Sequence, residues 1–477
     1  MLSDLWAVWP ELVLALVAVG LFLARGLVIA HGLVAHVHWG TVGLVLVLGL
    51  VVASTGGVTR TLFGGALIED AFTRVAQAGV LFAAGVALAV GVDAMQRHGD
   101  LMPDFPALSS LAVLGMVLAS AAGEVVTLYL ALELMALSFY TLLALRRTSG
   151  RASEAALTGA LVGLMGSALV LFGLALTAAL TGQTGFEAIA DALDDPAPVL
   201  VSLAMALVIA GLACKIALAP FHLWWPALLD SAPLAVVALM VTGLPLVGLT
   251  VLARLTLTVY PALIDTWQPV LGGIAILTVL SGSLIAIAER RVRRVLAGWS
   301  CIGTGFALLA LSSGTAEGVA AMLAQMMVHA TVMAGLVAFL STLERDGRSL
   351  RNVEGLNMYA VMQPRRAFAV LVLCLSACAA PPLVGVLVRV DVLSAVFEAG
   401  LPWLAIAGVL ASLPAAWAFL RPVRRIYAAD EQVGTDTVPA RVPFAVLAVT
   451  AVAMVLGILD FMGLTTAFET AGARLAR

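Results

Sequence analysis

Apolar residues run in windows of about 20 from Leu5 to near Leu464, and short connectors marked by charge or by glycine and proline separate them. In hydrocarbon the backbone must satisfy its own hydrogen bonds, which leaves helix bundles or closed barrels. The runs are too long and too uniformly apolar for barrel strands of roughly ten alternating residues. The pattern predicts an all-α polytopic membrane protein with about fourteen transmembrane helices. The first four are placed at 5–25, 33–53, 74–92 and 107–121. The next five are 124–145, 155–180, 199–219, 232–258 and 268–288, and the last five are 294–313, 317–343, 366–389, 402–420 and 443–465.

The arginines test this count independently. Connectors are numbered by the helix they follow. Odd connectors carry Arg25, Arg97, the Arg146, Arg147 and Arg151 group, and the Arg290, Arg291, Arg293 and Arg294 group. They also carry Arg345, Arg348, Arg351, Arg365 and Arg366, then Arg421, Arg424 and Arg425. Even connectors are nearly free of arginine and carry acids instead, such as Glu187, Asp191, Asp194 and Asp195. Adding or dropping one helix midway would scramble the alternation. The positive-inside rule then places odd connectors in the cytoplasm and both termini outside.

Composition narrows the picture further. Of 477 residues 62% are hydrophobic and 11% charged, against about 45–50% and about 25% in soluble domains, so no soluble domain of any size is expected. The stretch from Met1 to Gly26 lacks a basic leader, carries Asp4 and Glu11, and is read as a retained first helix. Cys214, Cys301, Cys374 and Cys378 lie in apolar stretches without ligand spacing and read as small buried hydrophobes. A net charge of −3 gives no sign of nucleic acid.

Two helices are interrupted. The seventh runs from Gly211 through Lys215 to Pro220 and on through Phe221 and His222 to Pro226. The twelfth runs from Leu375 to Pro381 and Pro382 and on through Leu383 to Arg389. Proline removes a rung of the helical ladder. Paired breaks at matching places point to repeats around a site in the middle of the membrane. The breaks lie five helices apart, so one five-helix unit is expected twice. The chain then reads as a single membrane domain, 1–477. Residues 1–106 hold helices 1–3, 107–258 the first repeat, 268–420 the second and 443–465 the last helix.

An ionisable group at membrane depth is costly and is a functional candidate. Lys215 is the only lysine in the chain, the other 24 of its 25 basic residues being arginine. Buried lysine can give up its proton, whereas arginine in a protein does not. The alternative for Lys215 is a side chain that snorkels from a helix end. Glu133 sits midway along the fifth helix and needs a cation or donors, for which Lys215 is the natural partner; a purely structural ion pair is the alternative. His329 in the eleventh helix is read either as a relay or as an interhelical hydrogen bonder. His222 lies where it could continue a path from Lys215. Arg389 and Asp391 read as a salt bridge at a helix end, and Asp460 as part of the last helix near the outer surface. No flavin, nucleotide or iron–sulfur motif is present, so redox chemistry is assigned to partners.

At this point the residues resemble subunit N of proton-translocating NADH–quinone oxidoreductase (respiratory complex I), an antiporter-like membrane subunit family. The resemblance runs nearly end to end. It includes Trp9-Pro-Glu-Leu-Val-Leu, Leu128-Tyr-Leu-Ala-Leu-Glu-Leu-Met-Ala-Leu-Ser-Phe-Tyr140 and Ser153-Glu-Ala-Ala-Leu. Its most specific piece is Lys215-Ile-Ala-Leu-Ala-Pro-Phe-His-Leu-Trp224, followed by Ser231-Ala-Pro233. Later come Arg294-Val-Leu-Ala-Gly-Trp-Ser300, Ala380-Pro-Pro382 and Trp417-Ala-Phe-Leu-Arg-Pro-Val-Arg-Arg-Ile-Tyr427.

The resemblance implies two inverted five-helix repeats with broken helices 7 and 12, and a proton path whose central carboxylate and lysine match Glu133 and Lys215; His222, His329 and Arg389 are read as further candidates along it. It implies a bacterial inner-membrane location with periplasmic termini. The other membrane-arm subunits, lipid and the quinone pool would be its partners. Flavin, iron–sulfur clusters, NADH and quinone would belong to those partners, with no cofactor in this chain. Four positions depart from the family pattern. Pro245 or Leu246 stands where a lysine is usual, Arg389 replaces a lysine, Thr304 a histidine, and Thr158 a lysine. Two alternatives follow: a partly degenerate structural subunit, or a subunit of a cation/proton antiporter or membrane hydrogenase, which share the fold.

Overall fold

The computed structural model describes residues 2–55, 59–145, 150–193, 199–345, 348–428, 436–437, 440–460 and 463–476. Arg146, Arg147, Asp194 and Asp195 lie outside the described residues. Ten helices among those described are individually long and apolar enough to cross a membrane. In chain order they are spans 1, 2, 3, 5, 6, 8, 9, 10, 11 and 13 of the predicted series. Span 4 is the shorter helix Phe105–Ala121, and span 14 is Arg441–Leu456. Spans 7 and 12 are broken, each made of two half-helices: Val199–Lys215 with Trp225–Ser231, and Pro364–Ala377 with Val384–Glu398.

Connectors of like parity are tied to one another, which puts them on one face. Connectors 2 and 4 join through Gly123 N–H to the Ala66 carbonyl, and connectors 4 and 6 through Phe186 N–H to the Gly123 carbonyl. Connectors 9 and 11 join through Val292 N–H to the Arg351 carbonyl, and connectors 11 and 13 through Met358 N–H to the Ala428 carbonyl. Arg97 at the end of span 3 donates to the Ser341 carbonyl of connector 11 at 3.1 Å, and Arg291 pairs with Asp230 at the end of span 7. The alternation read from the arginines is therefore built into the hydrogen bonding.

Spans 4–8 and 9–13 each contain five helices, an odd number, so the second group starts from the opposite face and runs inverted. Their breaks are closed alike. Leu218 N–H bonds the Ala213 carbonyl in span 7, and Ala380 N–H bonds the Leu375 carbonyl in span 12. Ala217 and Ala379, one residue before each donor, both hold left-handed backbone, with φ 55° and 59°. A cis peptide precedes Pro220 in the first break and Pro382 in the second.

Two expectations at the ends of helices are corrected. The second half of span 12 continues to Glu398, so Arg389 and Asp391 lie inside a helix rather than at its end. They are two residues apart, and such positions face different directions on a helix. Arg389 is buried and Asp391 exposed, and the two make no salt bridge. The last span stops at Leu456 instead of continuing to residue 465. Asp460 is outside it and caps a separate helix, Leu464–Leu475, by accepting the Leu464 and Thr465 N–H groups at 2.8 and 3.3 Å. That helix packs its small residues against the start of span 11, where Gly472 meets the Ala316 carbonyl.

Candidate functional site

Small residues set the spacing of the central site. Spans 6 and 7 cross where Gly166 and Gly211 face each other. A Cβ on Gly211 would lie 2.6 Å from the Gly166 carbonyl, and one on Gly166 would lie 2.9 Å from the Gly211 carbonyl. Backbones approach this closely in a membrane bundle only across small side chains. The crossing carries Ser167, next along span 6, and Lys215, one turn beyond Gly211, into contact.

Lys215 Nζ donates to Ser167 Oγ at 2.6 Å and to Glu133 Oε1 at 3.2 Å. Ser167 Oγ donates in turn to the same carboxylate oxygen. Three helices thus meet in one charge-assisted triangle, with the Lys215 side chain 6% and that of Glu133 17% exposed. Lys215 ends the first half of span 7, so its ammonium also sits at the end of a helix where a cation is favoured. Tyr140, two turns along span 5 from Glu133, hangs its hydroxyl over Gly163 of span 6. Tyr140, Lys215 and Trp224 border a small, mostly apolar cavity of about 40 Å³ that Met135, Phe139 and Met240 also line.

The break just past Lys215 is held from the second repeat. Ala219 N–H donates to Thr278 Oγ1 of span 9 at 3.0 Å, and Cys301 Sγ of span 10 lies 3.7 Å from the Ala217 carbonyl. The backbone freed by the break is thereby satisfied by side chains of the inverted partner unit. His222 lies beyond the break, buried, with Nδ1 unpartnered, and no hydrogen bond joins it to Lys215.

His329 of span 11 is 3% exposed and bonds the Val241 carbonyl of span 8 at 3.1 Å through Nε2. A carbonyl can only accept, so Nε2 carries the proton. The ring lies against the bare backbone of Gly303 in span 10, where a Cβ would meet Nδ1 at 2.1 Å. His329 therefore sits between the two repeats, apart from the lysine triangle. Thr304 gives its hydroxyl to the Ser300 carbonyl within its own helix, at 2.8 Å.

Arg389 serves the second break. Its guanidinium stacks 3.2 Å from the Phe306 ring centroid, reaches the Ala377 carbonyl at 3.4 Å and Ser412 Oγ at 3.5 Å, and leaves Nε unpartnered. Ala377 ends the first half of span 12, so Arg389 caps that half-helix from the second. Glu133 and Lys215 are brought together, while His222, His329 and Arg389 occupy three separate places.

One buried ion pair was absent from the sequence reading. Arg254 near the end of span 8 grips Asp70, before span 3, with Nη1 to Oδ2 at 2.7 Å and Nη2 to Oδ1 at 3.1 Å, and also bonds Thr73 Oγ1 at 2.8 Å. Burial raises the Asp70 carboxyl, but the Arg254 charge and the hydrogen bonds from Arg254 and Thr73 outweigh it and hold the group below the ordinary carboxylate value. The signals for it were an aspartate at a helix N-cap and an arginine in an apolar helix; their 184-residue separation hid the pairing.

Comparison with known proteins sets this geometry in context. Residues 122–413 match the family described as NADH:quinone oxidoreductase/Mrp antiporter, TM. The chain is 34% identical to NADH-quinone oxidoreductase subunit N of Jannaschia sp. over 100% of its own length and 99% of the relative's. It is 33% identical to the subunit of that name from Rhodobacter capsulatus, covering 98% of each. Among solved structures, a chain of respiratory complex I from Thermus thermophilus with bound aureothin aligns at TM-score 0.80 and 25% identity, over 95% of this chain and 98% of that one. A chain of the Mrp complex from a Dietzia species aligns at TM-score 0.81 over 99% and 97%, at 20% identity, a likeness of fold.

Proposed function

The chain belongs to the subunit N family of NADH-quinone oxidoreductases and is a membrane-arm subunit of respiratory complex I, and from that premise we propose that it carries protons across the membrane through the Glu133–Lys215 site. The observation that carries this reading is the Glu133–Ser167–Lys215 triangle beside the break of span 7. A lysine can pass its proton on, and each change in its charge alters the cost of charge on Glu133. A small cavity with Tyr140 and Trp224 adjoins Lys215, and water entering it would give that proton an entry or exit.

Electrons are expected to pass from NADH to quinone in partner subunits that hold the flavin and iron–sulfur clusters, with this chain receiving the energy as a displacement or a change of charge. The other membrane-arm subunits and lipid are its expected neighbours. The arginine-rich odd connectors point to the cytoplasmic face of a bacterial inner membrane, with both termini periplasmic.

A second reading, a partly degenerate structural subunit, draws on the departures. Arg389 is committed to capping a half-helix, Thr304 to its own backbone, and Pro245 has no titratable group. One experiment separates the two: purify intact complexes with Lys215→Ala or Glu133→Gln, reconstitute them, and measure protons moved per electron. The pumping reading expects a lower ratio with assembly and NADH oxidation retained. An unchanged ratio in both variants removes this site from pumping and favours the structural role.

A further inference from the structure

Away from the central site, spans 1–4 enclose a second polar chamber. Glu11, in the first turn of span 1, is 8% exposed. Its Oε1 accepts from Gln77 Nε2 of span 3 at 2.8 Å, and its Oε2 has no hydrogen-bond partner. Gln77 is held in turn by the Val117 carbonyl of span 4 at 3.3 Å, so both hydrogens of its amide are committed and it presents a donor to Glu11. Glu11 lines a cavity of about 120 Å³, bounded also by Thr55 of span 2, Glu69, and Thr73 and Arg74 of span 3. At roughly 10–15 Å³ for each water, it has room for several.

The charged groups around Glu11 do not neutralise it. Arg74 is taken up by Glu69 at 2.5 Å, and Asp70 by Arg254. Spans 2 and 4 add no titratable side chain to the cavity lining. Among the described residues no basic group lies within ion-pair reach of Glu11. The cavity sits at the even-connector face, between the start of span 1, the end of span 2 and the start of span 3, opposite the arginine-rich connectors.

We propose that Glu11 is a second protonatable site, whose carboxyl exchanges a proton with the water of this chamber on the even-connector side of the membrane. A proton arriving as hydronium bonds to the Glu11 carboxylate and leaves water behind; release reverses the step and consumes nothing else. Oε1 stays with Gln77 in both states, which holds the carboxyl in place while its charge changes. The site shares no residue with the Glu133–Lys215 triangle and does not rest on the role given to that pair.

Infrared difference spectra of the intact, reconstituted complex between acidic and neutral buffer test this. Wild type is expected to show a carboxylic C=O band that Glu11→Gln removes and Gln77→Leu shifts, because the shift reports the lost hydrogen bond. Spectra of wild type and Glu11→Gln that coincide would overturn the proposal. Should Glu11→Gln fail to assemble, Glu11→Asp carries the same test: the shorter acid must move the band, and an unmoved band overturns the assignment. Complexes with Lys215→Ala must retain the band even if pumping is lost, and its disappearance there would end the claim of an independent site.

Discussion

His329 takes up the hydrogen-bonding place that Pro245 leaves open on span 8. In a helix the Val241 carbonyl would accept from the N–H of residue 245, and proline has none. The Nε2–H of His329, from the inverted repeat, fills that position at 3.1 Å. The donor that Pro245 lacks is thus supplied by a histidine from another helix. His329→Ala should therefore leave a buried carbonyl unsatisfied, at a cost of about 1–3 kcal/mol. Adding Pro245→Ala supplies an N–H to the same carbonyl and should restore most of the loss. Thermal denaturation of the purified complex in detergent measures both; a double variant no more stable than His329→Ala alone would refute the arrangement.

Glu133 and Lys215 should be coupled in stability as well as in charge. Removing one member of a buried pair strands the other, which costs about 3–5 kcal/mol, whereas removing both costs less than the sum. Lys215→Met and Glu133→Gln are each expected to destabilise the subunit, and the double variant to be milder than their total. Additive losses in a double-mutant cycle would show that the contact carries no energy of its own.

Asp70 gives the fold an acid-sensitive clasp. Its folded-state carboxyl is held below the ordinary value of about 3.9 by Arg254 and Thr73, against the opposing effect of burial. The stabilisation is thus present above the unfolded value and lost as pH falls through the depressed folded one. Wild type should lose melting temperature in strong acid more steeply than Asp70→Asn, which begins lower and has no such carboxyl to protonate. Parallel melting profiles across that range would exclude the clasp.

The fourteen helices, the two breaks and the partnership of Lys215 with Glu133 were readable from the chain, because hydrocarbon enforces long apolar runs and a buried charge needs a neighbour. Other features depended on tertiary contact. Ala217 and Ala379 adopt left-handed backbone without the glycine that would announce it. Arg389 and Asp391 looked like the end of span 12, yet Arg389 is sheltered by Phe306 and the helix continues to Glu398. Gly457 and the capping residue Asp460 end span 14 and start another helix in a stretch that reads as one apolar run.

Gly211 tests whether the crossing of spans 6 and 7 sets the geometry of the site. A methyl group there would meet the Gly166 carbonyl at 2.6 Å, and that carbonyl is backbone, so the two helices must separate. Overpacking of this kind costs about 1–3 kcal/mol. The larger effect should fall on function, because Ser167 adjoins Gly166 and Lys215 lies one turn from Gly211: the 2.6 Å contact between their side chains lengthens first. Gly20, in span 1, has nothing within 4 Å of the place a methyl group would take and serves as the control. Gly211→Ala should lower protons moved per electron while Gly20→Ala leaves the ratio unchanged. A Gly211→Ala complex that pumps as wild type does would show that the lysine tolerates displacement from Ser167, and that the close crossing serves packing alone.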